Sequence, residues 1–401
     1  MIKSKRVLAA ALVAALGLTA AACGDDDDEG TTETAAPGDT SGATTPGTEP
    51  QGTEPAGTEP AGTEPAGTEP EGTGPAAEGT TVGLLFDITG RGDRSFNDSA
   101  AAGLDQAVDE FGVVPSESTP TGDADRADRL NLLVGDGNQL VIGVGFLWEG
   151  ALEAGAIANP DTHFALVDGV AQDPAGTPDD PNDDTDLPNV ANLLFAEHEG
   201  SFLVGAAAAL TSTTGKIGFV GGVEIDLIKK FEAGFIAGAT AVNPDIEILS
   251  NYASQPPDFS GFNAPNVGLE IATQMYADGA DVIYHAAGGT GLGVFQAATE
   301  AGAPGEVWAI GVDSDQWQTA DPAQQPYILT SMLKRVDVAV YETIKAEAEG
   351  AFAPGIQVFD LSVDGVGYAT SGDNLSADTI AALEDFKAQI IAGDITVPEV
   401  P

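Results

Sequence analysis

The sequence predicts an α/β protein of the doubly wound type in two lobes, and three observations predict it. Short runs of Val, Ile and Leu recur through residues 81–401. These runs are apolar throughout rather than alternating, and most are followed by an amphipathic stretch. A strand apolar on both faces must be covered on both faces, as in a parallel sheet between helical layers. About 320 residues are enough for two domains of ordinary size.

In chain order the expected strands are "VGLLFD", "LVIGVG", "HFALVDG", "VANLLF", "KIGFVG", "EILSNY", "VIYHAA", "VWAIGVD" and "YILTSML". The expected helices include "NDSAAAGLDQAVDEFG", "GSFLVGAAAALTSTTG", "IDLIKKFEAGFIAGATAVNP", "APNVGLEIATQMYADG" and "KRVDVAVYETIKAEAEG". In open α/β sheets ligands sit beyond the C-terminal strand ends. Polar or glycine-rich clusters fall there: "FDITGRGDRSFND", "VDG", "HAAGGTGLG" and "GVDSDQ".

Residues 1–23 read as a secretory signal: Lys3, Lys5 and Arg6, then the apolar run Val7–Ala22, then Cys23. The run is shorter than the ~20 residues a membrane span requires. Cys23 is the only cysteine, so no internal disulfide is possible; after "TAAA" it resembles a lipobox cysteine, the point of acylation. Residues 24–80 hold Gly, Thr, Glu, Pro, Ala and Asp, with "GTEP" five times, and have almost nothing apolar to bury. This stretch reads as a tether with a reach of roughly 40 Å.

A formal net charge of −49, from 14 Lys and Arg against 63 Asp and Glu, argues against a nucleic-acid partner. Anionic substrates and lipids are disfavoured as well.

The stretch "YHAAGGTGLGVFQAA" invites a phosphate reading. A dinucleotide fingerprint needs G-x-G-x-x-G, and after Gly289 and Gly291 the third position is Val294. A P-loop needs Lys followed by Ser or Thr, and the chain has no such sequence after its glycines. Glycines at a helix start still let the backbone approach a ligand, and a carboxylate ending the next strand, Asp313, suits two adjacent hydroxyls. Close helix packing would account for one or two of the glycines without any ligand. An NAD(P)-dependent enzyme would use the same loop and Asp313.

His163, His198 and His285 lack metal spacing, and no nucleophile elbow is present. "RGD" at Arg91–Asp93 is a tripeptide common enough to carry no argument. The acidic insert at 170–189 holds six aspartates without the spacing of an EF-hand, and reads as a solvated loop.

The blocks "FDITGRGDRSFNDSAAAGL", "EHEGSFLVGAAAALTSTTGKIGFVGG", "FEAGFIAGATAVNP", "HAAGGTGLGVFQAATEAG", "GVDSDQW" and "LTSMLKRVDVAVY" resemble, in order, the basic membrane protein (BMP, PnrA-like) lipoproteins. Those are substrate-binding components of ABC-type nucleoside importers. The resemblance implies a type I periplasmic-binding-protein fold, two Rossmann-like lobes with parallel sheets joined by a three-crossing hinge. The first lobe is expected at 81–195 plus 330–352, the second at 196–329 plus 353–401. It implies base contacts from Asp87, Phe96, Asn97 and Asp168, a backbone contact at Gly288, and ribose contacts from Asp313 and Lys334. The second aromatic clamp falls in "NYASQPPDFSGFN", with Phe259 and Phe262 as candidates. The expected partners are a nucleoside, permease and ATPase subunits, and a membrane reached through a lipid anchor at Cys23. Neither cofactor nor catalysis is expected, and the receptor is expected to be a monomer. A receptor or sensor for another small polar molecule is the alternative within the same class.

Overall fold

A computed structural model of the chain describes residues 79–174 and 184–401. The expected signal, Cys23, the tether and the centre of the acidic insert lie outside the described residues.

The strands in chain order are β1 (Thr81–Leu85), β2 (Val114–Ser118), β3 (Leu140–Val144), β4 (His163–Val167), β5 (Gln172–Asp173), β6 (Thr185–Asp186) and β7 (Val190–Phe195). They continue with β8 (Lys216–Val223), β9 (Glu247–Ser254), β10 (Val282–Ala286), β11 (Trp308–Asp313), β12 (Ile328–Lys334), β13 (Gly355–Phe359) and β14 (Val366–Tyr368). The helices are α1 (Phe96–Phe111), α2 (Arg126–Gly135), α3 (Glu149–Ala158), α4 (Glu197–Thr211) and α5 (Asp226–Val242). After them come α6 (Pro265–Ala277), α7 (Gly291–Ala301), α8 (Gln316–Thr319), α9 (Val336–Ala348) and α10 (Ala377–Ala392).

One six-stranded sheet runs β13-β7-β4-β3-β1-β2 and is parallel throughout. The other runs β14-β12-β11-β10-β8-β9, parallel except for the antiparallel edge strand β14. The apolar runs take the middle of each sheet because only there are both strand faces covered. In the first sheet Val82, Leu84, Ile142 and Val167 bury one face, with Leu104 of α1 and Val340 of α9 in the same core cluster. Leu85, Val141 and Phe164 turn the other way, into a cluster with Trp148, Leu152 and Leu133.

The chain passes from the first sheet to the second after β7, back after β12, and over again after β13. The expected return near 330 and departure near 352 are therefore corrected. β12 belongs wholly to the second sheet, pairing with β11, and β13 completes the first by pairing with β7. Sequence pattern misplaced them for a physical reason. An apolar strand such as β12 suits the middle of either sheet, and β13 is an edge strand with Ile356 and Val358 exposed.

Helices α4 and α5 approach more closely than ordinary side chains permit. A Cβ at Gly205 would overlap the Phe235 carbonyl oxygen, one at Gly234 the His198 carbonyl, and one at Gly238 the Phe202 carbonyl. Backbone cannot swing aside as a side chain can. Gly238→Ala is expected to destabilise the chain by about 2–3 kcal/mol, read as a lower urea midpoint with an unchanged slope.

Candidate functional site

A cleft between the sheets, about 630 Å³ of empty space with its open mouth included, is lined by both lobes. All seven residues singled out in the sequence stand on its wall: Asp87, Phe96, Asn97 and Asp168 from the first lobe, Gly288, Asp313 and Lys334 from the second. Each follows or ends a strand or opens the helix after one, where the doubly wound topology leaves side chains uncovered. Of the two candidate clamps, Phe262 lines the cleft. Phe259 instead meets Phe146 edge-on, ring centroids 5.8 Å apart.

The loop after β1 is held by side chains that cap its backbone. Asp87 Oδ1 accepts from the Ile88 N–H and from Arg126 Nη2, both at 2.8 Å. Arg126 is buried at the start of α2, its guanidinium 4.9 Å from the Trp148 ring centroid. Asn97 spans the loop: its Oδ1 accepts the Asp87 N–H at 2.9 Å, and its Nδ2 donates to Thr89 Oγ1 and Asp93 Oδ2. Both ends of that amide are engaged within the protein, so in this conformation Asn97 holds the loop in shape.

Lys334 ends β12 with 1 % of its surface exposed. Its Nζ is 2.6 Å from Asp168 Oδ2 and 3.2 Å from Glu197 Oε1, and lies 5.3 Å from the Phe96 ring centroid. Burial works to lower the lysine pKa, and Asp168, Glu197 and Asp313 more than offset it, so the ammonium stays charged well above its ordinary range. Burial likewise pushes Asp168 up to about 6 against the pull of Lys334, and Asp313 up to about 6 against Lys334 and a hydrogen bond from Ser95. Asp168 Oδ1 is buried without a hydrogen-bond partner. An ammonium flanked by carboxylates from both lobes ties the lobes together and leaves acceptor oxygens over.

The glycine loop has a structural explanation that needs no phosphate. A 3₁₀ turn, Gly288–Thr290, leads into α7. Gly288 has φ 53°, and a Cβ there would stand 3.1 Å from the Phe262 carbonyl oxygen. A Cβ at Gly291 would overlap the His285 ring, and one at Gly293 the Pro265 carbonyl. Thr290 stitches the turn down, donating to the Gly261 carbonyl and accepting the Ala264 N–H, both at 2.7 Å.

Sequence reasoning missed Arg126, Glu197 and Ser95. For Arg126 alone composition held a faint signal: with only 14 Lys and Arg against 63 acids, each cation is scarce.

The Bmp family model, described as ABC transporter substrate-binding protein PnrA-like, matches residues 80–400. The chain belongs to the Bmp family. Among Bmp-like relatives, the CD4+ T-cell-stimulating antigen of Listeria monocytogenes is 39 % identical over 80 % of this chain and 88 % of its own. The ABC transporter nucleoside-binding protein BmpA of Lactococcus lactis is 33 % identical, over 79 % and 88 %. A solved ABC transporter solute-binding protein from Aeropyrum pernix superposes with a TM-score of 0.67 at 33 % identity, covering 79 % of this chain and 93 % of the other. This Bmp protein is thus a substrate-binding protein of an ABC transporter, with the two-lobed type I fold. Its family works outside the cytoplasm with a small-molecule ligand and transporter components. No helix among the described residues is long and apolar enough to cross a membrane.

Proposed function

We propose that the cleft binds a nucleoside, a purine one, and hands it to a membrane permease without chemical change. One observation carries this reading: the cleft joins aromatic faces to carboxylate oxygens that still lack partners. Phe96 from one lobe and Phe262 from the other offer flat apolar surfaces, and stacking a base on such a ring contributes roughly 1–3 kcal/mol. Ionised carboxylates only accept, so Asp87 and Asp168 favour a base edge with N–H donors, and Asp313 favours ribose hydroxyls. Asn97 and Arg126 serve by holding Asp87.

Charge argues against a nucleotide. Asp87, Asp93, Asp168, Glu197 and Asp313 stand in or behind the wall, against Arg126, Lys334 and the more peripheral Lys230. The name of the Lactococcus lactis relative, a nucleoside-binding protein, supports the same reading. On it, Val7–Ala22 and Cys23 would serve as export signal and lipid-attachment point.

Calorimetry on the full chain, unfolded and refolded to strip retained ligand, tests the proposal. Micromolar or tighter binding of guanosine, inosine or adenosine is expected, with the 5′-monophosphates about a hundredfold weaker through like-charge repulsion. Absence of heat with every nucleoside would overturn it.

A further inference from the structure

The loop that carries Phe96 reaches out of the first lobe and fastens to the second. Ser95 is fully buried at the N-cap position of α1, yet its side chain caps nothing. Asp93 does that work: its Oδ1 accepts the Ser95 and Asp98 N–H groups and its Oδ2 the Asn97 N–H, at 2.8–3.1 Å. The serine hydroxyl is free to cross the cleft, and donates to Asp313 Oδ2 at 2.6 Å.

Other contacts surround this one. Ser314 Oγ donates to the Ser95 carbonyl and Gln316 Nε2 to the Arg94 carbonyl, both at 3.0 Å. The Arg94 guanidinium stands 3.7 Å from Asp321. Gln316 is a rigid anchor, 1 % exposed, its Oε1 accepting the Val312 N–H and its own N–H donating to Ser331 Oγ. Both sides of the joint carry left-handed backbone at a non-glycine residue, φ 56° at Arg94 and 64° at Asp313. Such conformations persist only where surrounding contacts over-determine them, and they gather at ligand clamps.

We propose that Ser95 is a positioning residue for Asp313 and the pin of an interlobe latch, so that the carboxylate is aimed at ligand only while the lobes are shut. The inference rests on the nucleoside reading of the cleft. Ser95 fixes one Asp313 oxygen, and the other has no hydrogen-bond partner among the described residues. That second oxygen is left for a ligand hydroxyl. Opening the lobes breaks the Ser95 bond and releases the aim of the carboxylate together with it. A latch of this kind governs departure of the ligand far more than its arrival.

The test uses the full chain and guanosine, inosine and adenosine as probes, with stopped-flow rates and backbone hydrogen–deuterium exchange. Ser95→Ala is expected to speed dissociation about tenfold, the scale of a lost hydrogen bond to a charged group, with association within about twofold. Exchange should rise together in segments 91–98 and 312–318, far apart in the chain, and not in the sheet interiors. Ser314→Ala, which leaves Asp313 untouched, should speed dissociation less, about threefold. An unchanged dissociation rate in both variants overturns the latch, as does an exchange increase confined to one segment. If the wild-type chain binds none of the nucleosides, that defeats the binding reading, and the exchange measurement on the ligand-free chain still decides the latch.

Discussion

Lys334→Met is expected to destabilise the folded chain by about 3–5 kcal/mol and to abolish nucleoside binding, the stability loss being that typical of a broken buried pair. The ammonium is the direct ion-pair partner of Asp168 at 2.6 Å and stands 3.2 Å from Glu197, and all three groups are buried. Methionine fills the volume of the stem and supplies no charge. Glu197 keeps a partner in Lys230 at 3.9 Å, whereas Asp168 has no second cation within 4 Å among the described residues and feels Lys230 only from farther off. A free buried carboxylate either protonates or pulls the lobes apart. Urea titration reads the loss directly. Adding Asp168→Asn to the methionine variant should restore more than half of it, because the second change removes the charge that the first left exposed. A midpoint moved by less than about 0.5 kcal/mol equivalent would mean that this pair contributes little, as surface pairs do.

Acid should weaken binding over the interval in which the two buried carboxyls of the cleft take up protons. Burial lifts the carboxyls of Asp168 and Asp313 from an ordinary 3.8 to about 6. A group raised in the folded state gives stability that is fully present below its unfolded value and lost as pH rises through its folded value. From pH 7.5 down to 4.5, therefore, these two groups add stability. The imidazoles of His285, buried and pushed down to about 3, and of His198, also lowered by burial, subtract it below about pH 6.5 because the fold keeps them neutral. Exposed carboxyls held low by partners, such as Asp105 beside Arg91, act in the opposite direction only beneath about pH 4. Ligand binding follows the other sign, since only the ionised carboxylate is a pure acceptor. At pH 4.5 a group that titrates near 6 is ionised in about one molecule in thirty, so each carboxylate lowers affinity by up to about thirtyfold. Calorimetry across pH 4.5–7.5 checks the sign. Affinity that stays level below pH 6 would remove these two carboxylates from ligand contact.

How far the sequence could be read depended on where each residue's partners lie. Central strands such as "LVIGV" and "HFALV" declare themselves because covering on both faces leaves only apolar residues. β2, "VPSES", escaped notice because an edge strand with a proline and exposed side chains carries no such mark. β13 and β14 escaped because both are edge strands without an apolar run, β13 alternating toward solvent and β14 only three residues long. The cleft carboxylates could be found because they end strands, a position set by local order. Ser95, Arg126 and Glu197 could not be singled out, since their roles depend on partners brought near only by the fold. Ser95 sits at the N-cap of α1, and only the geometry shows Asp93 doing the capping instead. The glycine stretch misled in the opposite direction, for Gly291 and Gly293 answer to the His285 ring and the Pro265 carbonyl, not to a phosphate.

β13 joins the first sheet after five strands of the second have already been made, and β14 joins the second only after that. A nascent chain that has emerged only as far as residue 350 therefore holds two unfinished sheets at once, with β7 and β12 each offering a bare edge to any strand that comes near. Ribosome pausing in this last stretch would leave the chain most prone to aggregate, and binding by a chaperone there would protect both halves together.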